Sequence, residues 1–292
     1  MEAILIAILS SLSFSIGALF FKINILKKGG NKLYQLGLFL SSTIILWCFT
    51  LYNIKPTFHV EYFFSSLVIG ISLLFSNIFF MKSLYLIPVG ILTPLVNLNV
   101  VIIIIFSIFY YGENLGFLEY IGILFLLLGL LVFNGQLRRN HANNWISLVV
   151  IISSAIFFMI VRNGGLKITF ENGLSNILVL TYSHTLALVL ITIIVFYQGK
   201  ISIFELPYKN TKENSAITIK RGLLGGSFSS IGLLLYGLAL ERGNASIILP
   251  IFSSYVIILL ALSTFFLHER MSISNYLSFV FLFVGTGFII GF

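Results

Sequence analysis

Long apolar runs separated by short polar breaks set the rhythm of this chain. Charge-free stretches fall near residues 3–21, 34–53, 62–81, 87–109, 118–135, 145–162, 173–197, 222–240, 246–267 and 275–292. A membrane-spanning helix needs about 20 apolar residues at 1.5 Å rise each, and these stretches match or slightly exceed that length. They are continuous rather than alternating, which points to helices and not to the strands of a membrane barrel. The pattern predicts an all-α integral membrane protein of ten transmembrane helices. The first run reads as a retained helix, because Met1-Glu2 provides no basic segment of the kind that opens a cleavable signal.

The polar positions repeat. Residues 70–129 lie over 226–285 at a constant offset of 156 without a gap. Gly70 then falls on Gly226, Leu84 on Leu240, Ile91 on Ile247, Pro94 on Pro250, Glu113 on Glu269 and Gly129 on Gly285. The polar link Gln136–Asn144 parts the copies, so two five-helix repeats are expected, over 1–137 and 145–292. An odd number of spans per copy makes the two enter the bilayer in opposite orientations. Inverted repeats of this kind belong to alternating-access transporters, with cargo held between the halves near the midplane.

Composition narrows the class further. Only 9% of residues are charged, 59% are hydrophobic and the mean hydropathy is +1.08, whereas soluble domains carry about 25% charged residues. A soluble enzyme with an ordinary surface is excluded, and the expectation is no enzyme and no cofactor. The net charge of +8 is explained by loop Lys and Arg that set topology and meet lipid headgroups, so nucleic acid is not an expected partner. Loops after odd-numbered spans hold thirteen basic residues from Lys22 to Arg270, and the other side holds Lys55, Arg162, Lys167 and Arg242. By the positive-inside rule both termini lie outside. Cys48 is the single cysteine, so no intramolecular disulfide forms.

The candidate chemistry is sparse. The chain has no Asp, and none of its nine Glu falls at the centre of a predicted span. Glu113 and Glu269 stand just before spans 5 and 10, where a carboxylate suits the positive end of a helix dipole; their expected role is structural. Pro94 and Pro250 each remove a helical hydrogen bond and are either plain kinks or symmetric gating breaks. Asn97 and Asn99 follow the first proline, with Ser253 and Tyr255 at the equivalent positions after the second. Together with Ser11, Ser15, Asn77 and Tyr236 they are candidates to line a substrate cavity, because polar groups in hydrocarbon need a partner or water. His184 is the one titratable side chain placed mid-span, either a bonded core histidine or a proton-coupling group. His59, His141 and His268 are scattered, and no metal site is expected. Gly222, Gly226 and Ser230 recur every four residues and suit close helix packing.

The segment ILTPLVNLNVVIIIIFSIFYYGENLGFLEYIGILFLLLGLLVF and its partner IILPIFSSYVIILLALSTFFLHERMSISNYLSFVFLFVGTGFIIGF resemble the EamA domain of the drug/metabolite transporter superfamily. The resemblance rests on Pro94 and Pro250, the Gly112-Glu113 and His268-Glu269 pairs and the glycines of the following spans, and extends over both copies. It implies a ten-helix metabolite exporter or importer. Members are described with both termini cytoplasmic, the reverse of what the loop charges favour here. The small multidrug relatives use a carboxylate in their first helix, where this chain offers Ser10, Ser11, Ser13 and Ser15. No phosphate-binding Gly-Lys-Ser/Thr loop is present, so ATP does not drive it.

The expected function is a secondary transporter of a small neutral or zwitterionic metabolite, with cargo between spans 1, 3, 4 and 6, 8, 9. The rivals are a lipid-linked carrier flippase and a non-transporting membrane subunit. The expected setting is the plasma (inner) membrane of a prokaryote, with membrane lipids and a small-molecule substrate as partners.

Overall fold

A computed structural model of the protein describes residues 2–53, 56, 59–86, 89–113, 116–132, 145–197, 214–267 and 273–290. Glu269, His141, His268, the link after residue 132 and most of the loop after residue 197 lie outside the described residues. The described chain is all-helical: α1 (Glu2–Leu26), α2 (Asn31–Asn53), α3 (Val60–Leu86), α4 (Val89–Tyr111), α5 (Phe117–Val132), α6 (Trp145–Glu171), α7 (Asn176–Phe196), α8 (Ser215–Arg242), α9 (Ala245–Ser253), α10 (Tyr255–Leu267) and α11 (Ile273–Ile290). Among the described residues, α1, α2, α3, α6, α7 and α8 are long and apolar enough to cross a bilayer.

Several helices outrun the predicted spans. Lys22, Lys32 and Lys82, counted as loop charges, lie in α1, α2 and α3, and Lys220 and Arg221 in α8. Two further differences bear on the site. The ninth predicted span is divided into α9 and α10 at Ser254, four residues beyond Pro250. Pro250 has no N–H to give the preceding turn. The Ser254 N–H then contacts two carbonyls, those of Pro250 at 3.2 Å and Ile251 at 3.1 Å, which tightens the turn where the helix breaks. The sixth span does not stop at residue 162. It runs on to Glu171 and ends in a left-handed cap at Gly173, φ +77, where Leu174 N–H donates to Thr169 O and Gly173 N–H to Phe170 O. Arg162 and Lys167 are therefore buried residues of α6 and not loop charges. Of the other two cations expected on that side, Lys55 lies outside the described residues and Arg242 is paired with Glu2.

Helix pairings come in corresponding twos. α1 packs along α8 and α3 along α6; α2 also packs on α8 and α3 on α7; α4 meets α6 while α1 meets α9 and α10. α5 packs against α11 and α4 against α9. Glycines permit the closest approaches. A Cβ on Gly226 would strike the Leu38 backbone carbonyl oxygen, and one on Gly70, its repeat partner, would come within 2.7 Å of the Ser183 carbonyl oxygen. Gly37 and Gly222 hold the same α2–α8 seam, and Ser42 Oγ donates across it to the Gly226 carbonyl at 3.0 Å. Such small-residue seams replace the hydrophobic drive that lipid cannot supply between helices.

Candidate functional site

Arg162 lies in the interior of the bundle, 5% exposed, on the face of α6 turned towards α1, α3, α7 and α8. A cavity of about 60 Å3 opens beside it, walled among others by Phe14 of α1, Asn77 of α3, His184 of α7, Ser229 of α8 and Tyr255 of α10. The guanidinium is held from behind by a relay of amides. Its Nε donates to Asn163 Oδ1 at 3.0 Å, Asn163 Nδ2 donates to Asn99 Oδ1 at 3.1 Å, and Asn99 Nδ2 donates to the Val96 carbonyl at 2.5 Å. The relay ties α6 to α4 at Asn99, five residues beyond Pro94. The Tyr236 and Tyr255 hydroxyls lie within electrostatic reach of the guanidinium. Tyr236 Oη is buried without a hydrogen-bond partner, and its ring stacks on Phe252 at 4.4 Å.

His184 shares this cavity. Its Nδ1 sits 2.8 Å from the Leu180 carbonyl oxygen, which can only accept, so that nitrogen carries the hydrogen and Nε2 remains available. Asn77 and Tyr255 also line this cavity. The other candidates are placed differently. Ser11 and Ser15 turn their hydroxyls back to the Ile8 and Leu12 carbonyls of their own helix at 2.9 and 2.6 Å and are not among the lining residues. A serine in hydrocarbon finds a partner most readily in the preceding turn, and these two do so. Asn99 serves the relay behind the wall instead of the wall itself, and Ser253 is a half-buried residue at the end of α9. Pro94 and Asn97 belong to α4, but their side chains lie outside what is described.

A second cluster closes one end of the bundle. Glu113 was expected to serve the helix that follows it in sequence; it caps α9 instead. Its Oε1 accepts from Ala245 N–H at 3.1 Å and its Oε2 from Ser246 N–H at 2.9 Å, while Asn244, the residue in the capping position, makes no side-chain cap. Just before α5 the acceptor is Glu119, which takes the Gly116 N–H at 2.6 Å. Lys167 Nζ bridges Glu113 at 3.1 Å and Glu171 at 2.7 Å and lies 5.4 Å from the centre of the Tyr111 ring. Burial pushes the Glu113 carboxyl up, but the bonds from Ser246 and the Lys167 ammonium outweigh it and hold the group below its ordinary value of 4.5.

Arg162 is the residue that sequence reasoning missed. In sequence a charge that ends an apolar run reads as a loop residue. The sequence concealed it: Asn163-Gly164-Gly165 follows at once and reads as a helix stop, yet α6 runs through these residues and ends only before Asn172-Gly173. Among the described residues, no group of three His, Cys, Asp or Glu could hold a metal ion.

Comparison with known proteins adds three findings. The model of the EamA-like transporter family matches residues 1–135 and 143–291. A solved crystal structure is similar over 100% of this chain and 99% of its own, with a TM-score of 0.74 and 16% identity, a likeness of fold alone. No curated protein matches the chain.

Proposed function

The chain belongs to the EamA-like transporter family of the drug/metabolite transporter superfamily, and from that premise we propose a secondary transporter that works by alternating access between two inverted five-helix halves. One observation carries the reading. The cavity at Arg162 is walled by side chains of both family-matched stretches, with Phe14 and Asn77 from the first and Arg162, His184, Ser229 and Tyr255 from the second. An intramembrane ionisable residue facing a shared cavity marks a substrate path more often than a structural contact. The paired helix packings, and the matching roles of Gly70 and Gly226, support the two-fold relation. The proposal takes α9 and α10 as one broken span among ten crossings; Pro250 precedes that break, and both pieces pack against α1. Transport across the plasma membrane of a prokaryote is the setting we assign.

The test is labelling in proteoliposomes. With the exposed Cys48 replaced by Ser, the single variants Asn77→Cys and Ser229→Cys should react with impermeant thiol reagents from either face, but in exchange. Conditions that raise labelling from one side should lower it from the other. Simultaneous access from both sides, or from one side only under all conditions, would exclude alternating access.

His184 is proposed as the proton-coupling group. It lines the same cavity as Arg162, and its Nδ1 is the ring nitrogen engaged by the Leu180 carbonyl. His184→Gln should leave the fold intact and abolish pH-dependent flux, and an unaltered pH dependence removes His184 from that role.

The flippase alternative would need a polar path open sideways to lipid. A lipid-side groove of about 570 Å3 does lie between α3, α4 and α6, beside Phe64, Ile102, Phe106 and Gly164. It is almost wholly apolar and shares no lining residue with the Arg162 cavity, so no described polar route joins a headgroup to it.

A further inference from the structure

The geometry points to Arg162 as the anchor of an anion subsite, and to a short monocarboxylate as the cargo. This inference rests on the transporter reading and sharpens it, and it departs from the neutral or zwitterionic cargo expected from sequence.

Among the described residues of the cavity wall, Arg162 alone carries a fixed charge. Burying a guanidinium is costly unless an opposite charge meets it. Among the described residues no carboxylate does so, and its hydrogen bond goes to the neutral Asn163. The bundle thus maintains an expensive charge with its compensation missing. The available partner is whatever enters the cavity.

The hydrogen bonding selects the partner's shape. Nε is occupied by Asn163, which Asn99 fixes in turn, so the plane of the guanidinium is set before any ligand arrives. The two Nη groups remain unspent, and a planar fork of N–H donors matches the two oxygens of a carboxylate. One cation also balances one negative charge. A phosphate dianion would keep a second charge that nothing on the wall neutralises. A zwitterion would bring an ammonium to a wall that has no carboxylate to receive it.

The rest of the wall selects the size. Phe14, Phe21, Leu73 and Phe80 offer apolar surface, and Ser42 and Asn77 offer neutral polar contacts. A volume of about 60 Å3 is room for roughly four to six water-sized groups at 10–15 Å3 each, the scale of a three- or four-carbon acid.

The test uses the purified full chain in detergent, with propionate and lactate as probes and propionamide as the uncharged isostere. A ligand that binds only the folded protein raises its melting midpoint by mass action. Propionate and lactate should raise the midpoint over sodium chloride of equal ionic strength, and propionamide should not. Arg162→Met should abolish the response, and Arg162→Lys, which keeps the charge but loses the fork, should weaken apparent affinity at least tenfold. Equal responses to acid and amide, no response beyond the salt control, or a propionate response that survives in Arg162→Met would each overturn the proposal. Should Arg162→Met fail to fold, the wild-type contrast of acid against amide and the Arg162→Lys titration still decide it. Flux in proteoliposomes separates the two readings. Arg162-dependent propionate binding without flux would leave the anchor standing and remove transport. Flux of a neutral solute that Arg162→Met leaves unchanged would keep transport and remove the anchor.

Discussion

At Glu113 one carboxylate serves three donors, two backbone N–H groups at the start of α9 and the Lys167 ammonium. The N–H groups of a helix's first turn have no partner within the helix, and a carboxylate satisfies them while meeting the positive end of the dipole. Glu113→Gln keeps an acceptor but loses the charge and offers the helix an N–H group in place of one oxygen. It should cost about 1–3 kcal/mol of stability, measured by unfolding in mixed micelles. The sign with pH follows from the lowered carboxyl value. The stabilisation is complete above the ordinary value of 4.5, begins to fade below it, and is lost as pH falls through the lower value of the folded protein. The gap between wild type and Glu113→Gln should therefore be constant near neutrality and close on acidification. A gap that persists at low pH would show the charge to be irrelevant. The sequence made the structural role of Glu113 legible through its place at a helix edge. It concealed which helix is served, because the contact crosses from one half of the chain to the other.

Between elements, backbone proximity decides what substitution is tolerated. A methyl on Gly226 meets the Leu38 carbonyl oxygen, which is main chain and cannot turn aside. Gly226→Ala should force α2 and α8 apart and cost about 1–3 kcal/mol. Gly164 is the control: the nearest neighbour of an added Cβ would be Cγ1 of the Ile103 side chain at 3.9 Å. Gly164→Ala should be neutral or stabilise α6 by up to about 1 kcal/mol, through helix propensity alone. Similar losses for the two variants in one unfolding assay would sink the seam argument. The existence of the helices was legible because apolar runs of span length leave few alternatives. The length of α6 was not, because a single Arg looks the same in sequence whether it faces water at a helix end or a cavity inside the bundle. The break after Pro250 was anticipated as a kink, but its position at Ser254 follows from hydrogen-bond choices that composition does not record.

In the whole molecule, the Glu113–Lys167 bridge joins the two halves at the end where α4 and α6 finish and α9 begins. A bridge present only while that end is closed biases the conformational equilibrium by its own strength, with a factor of ten for each 1.4 kcal/mol. Lys167→Met should accordingly raise labelling of Asn77→Cys from that face about tenfold, and unchanged labelling would show that the bridge holds no gate. The same interleaving governs how the protein is made. α1 and α2 pack chiefly on α8, so the first two helices enter the membrane long before their partner exists. Until Arg242 has been synthesised and α8 inserted, the bare backbone at Gly17 and Gly37 faces lipid or the insertion machinery. A ribosome that stalls after α7 leaves a chain with every early helix inserted and its central seam unmade, and quality-control proteases can recognise such a product by the glycines it still exposes.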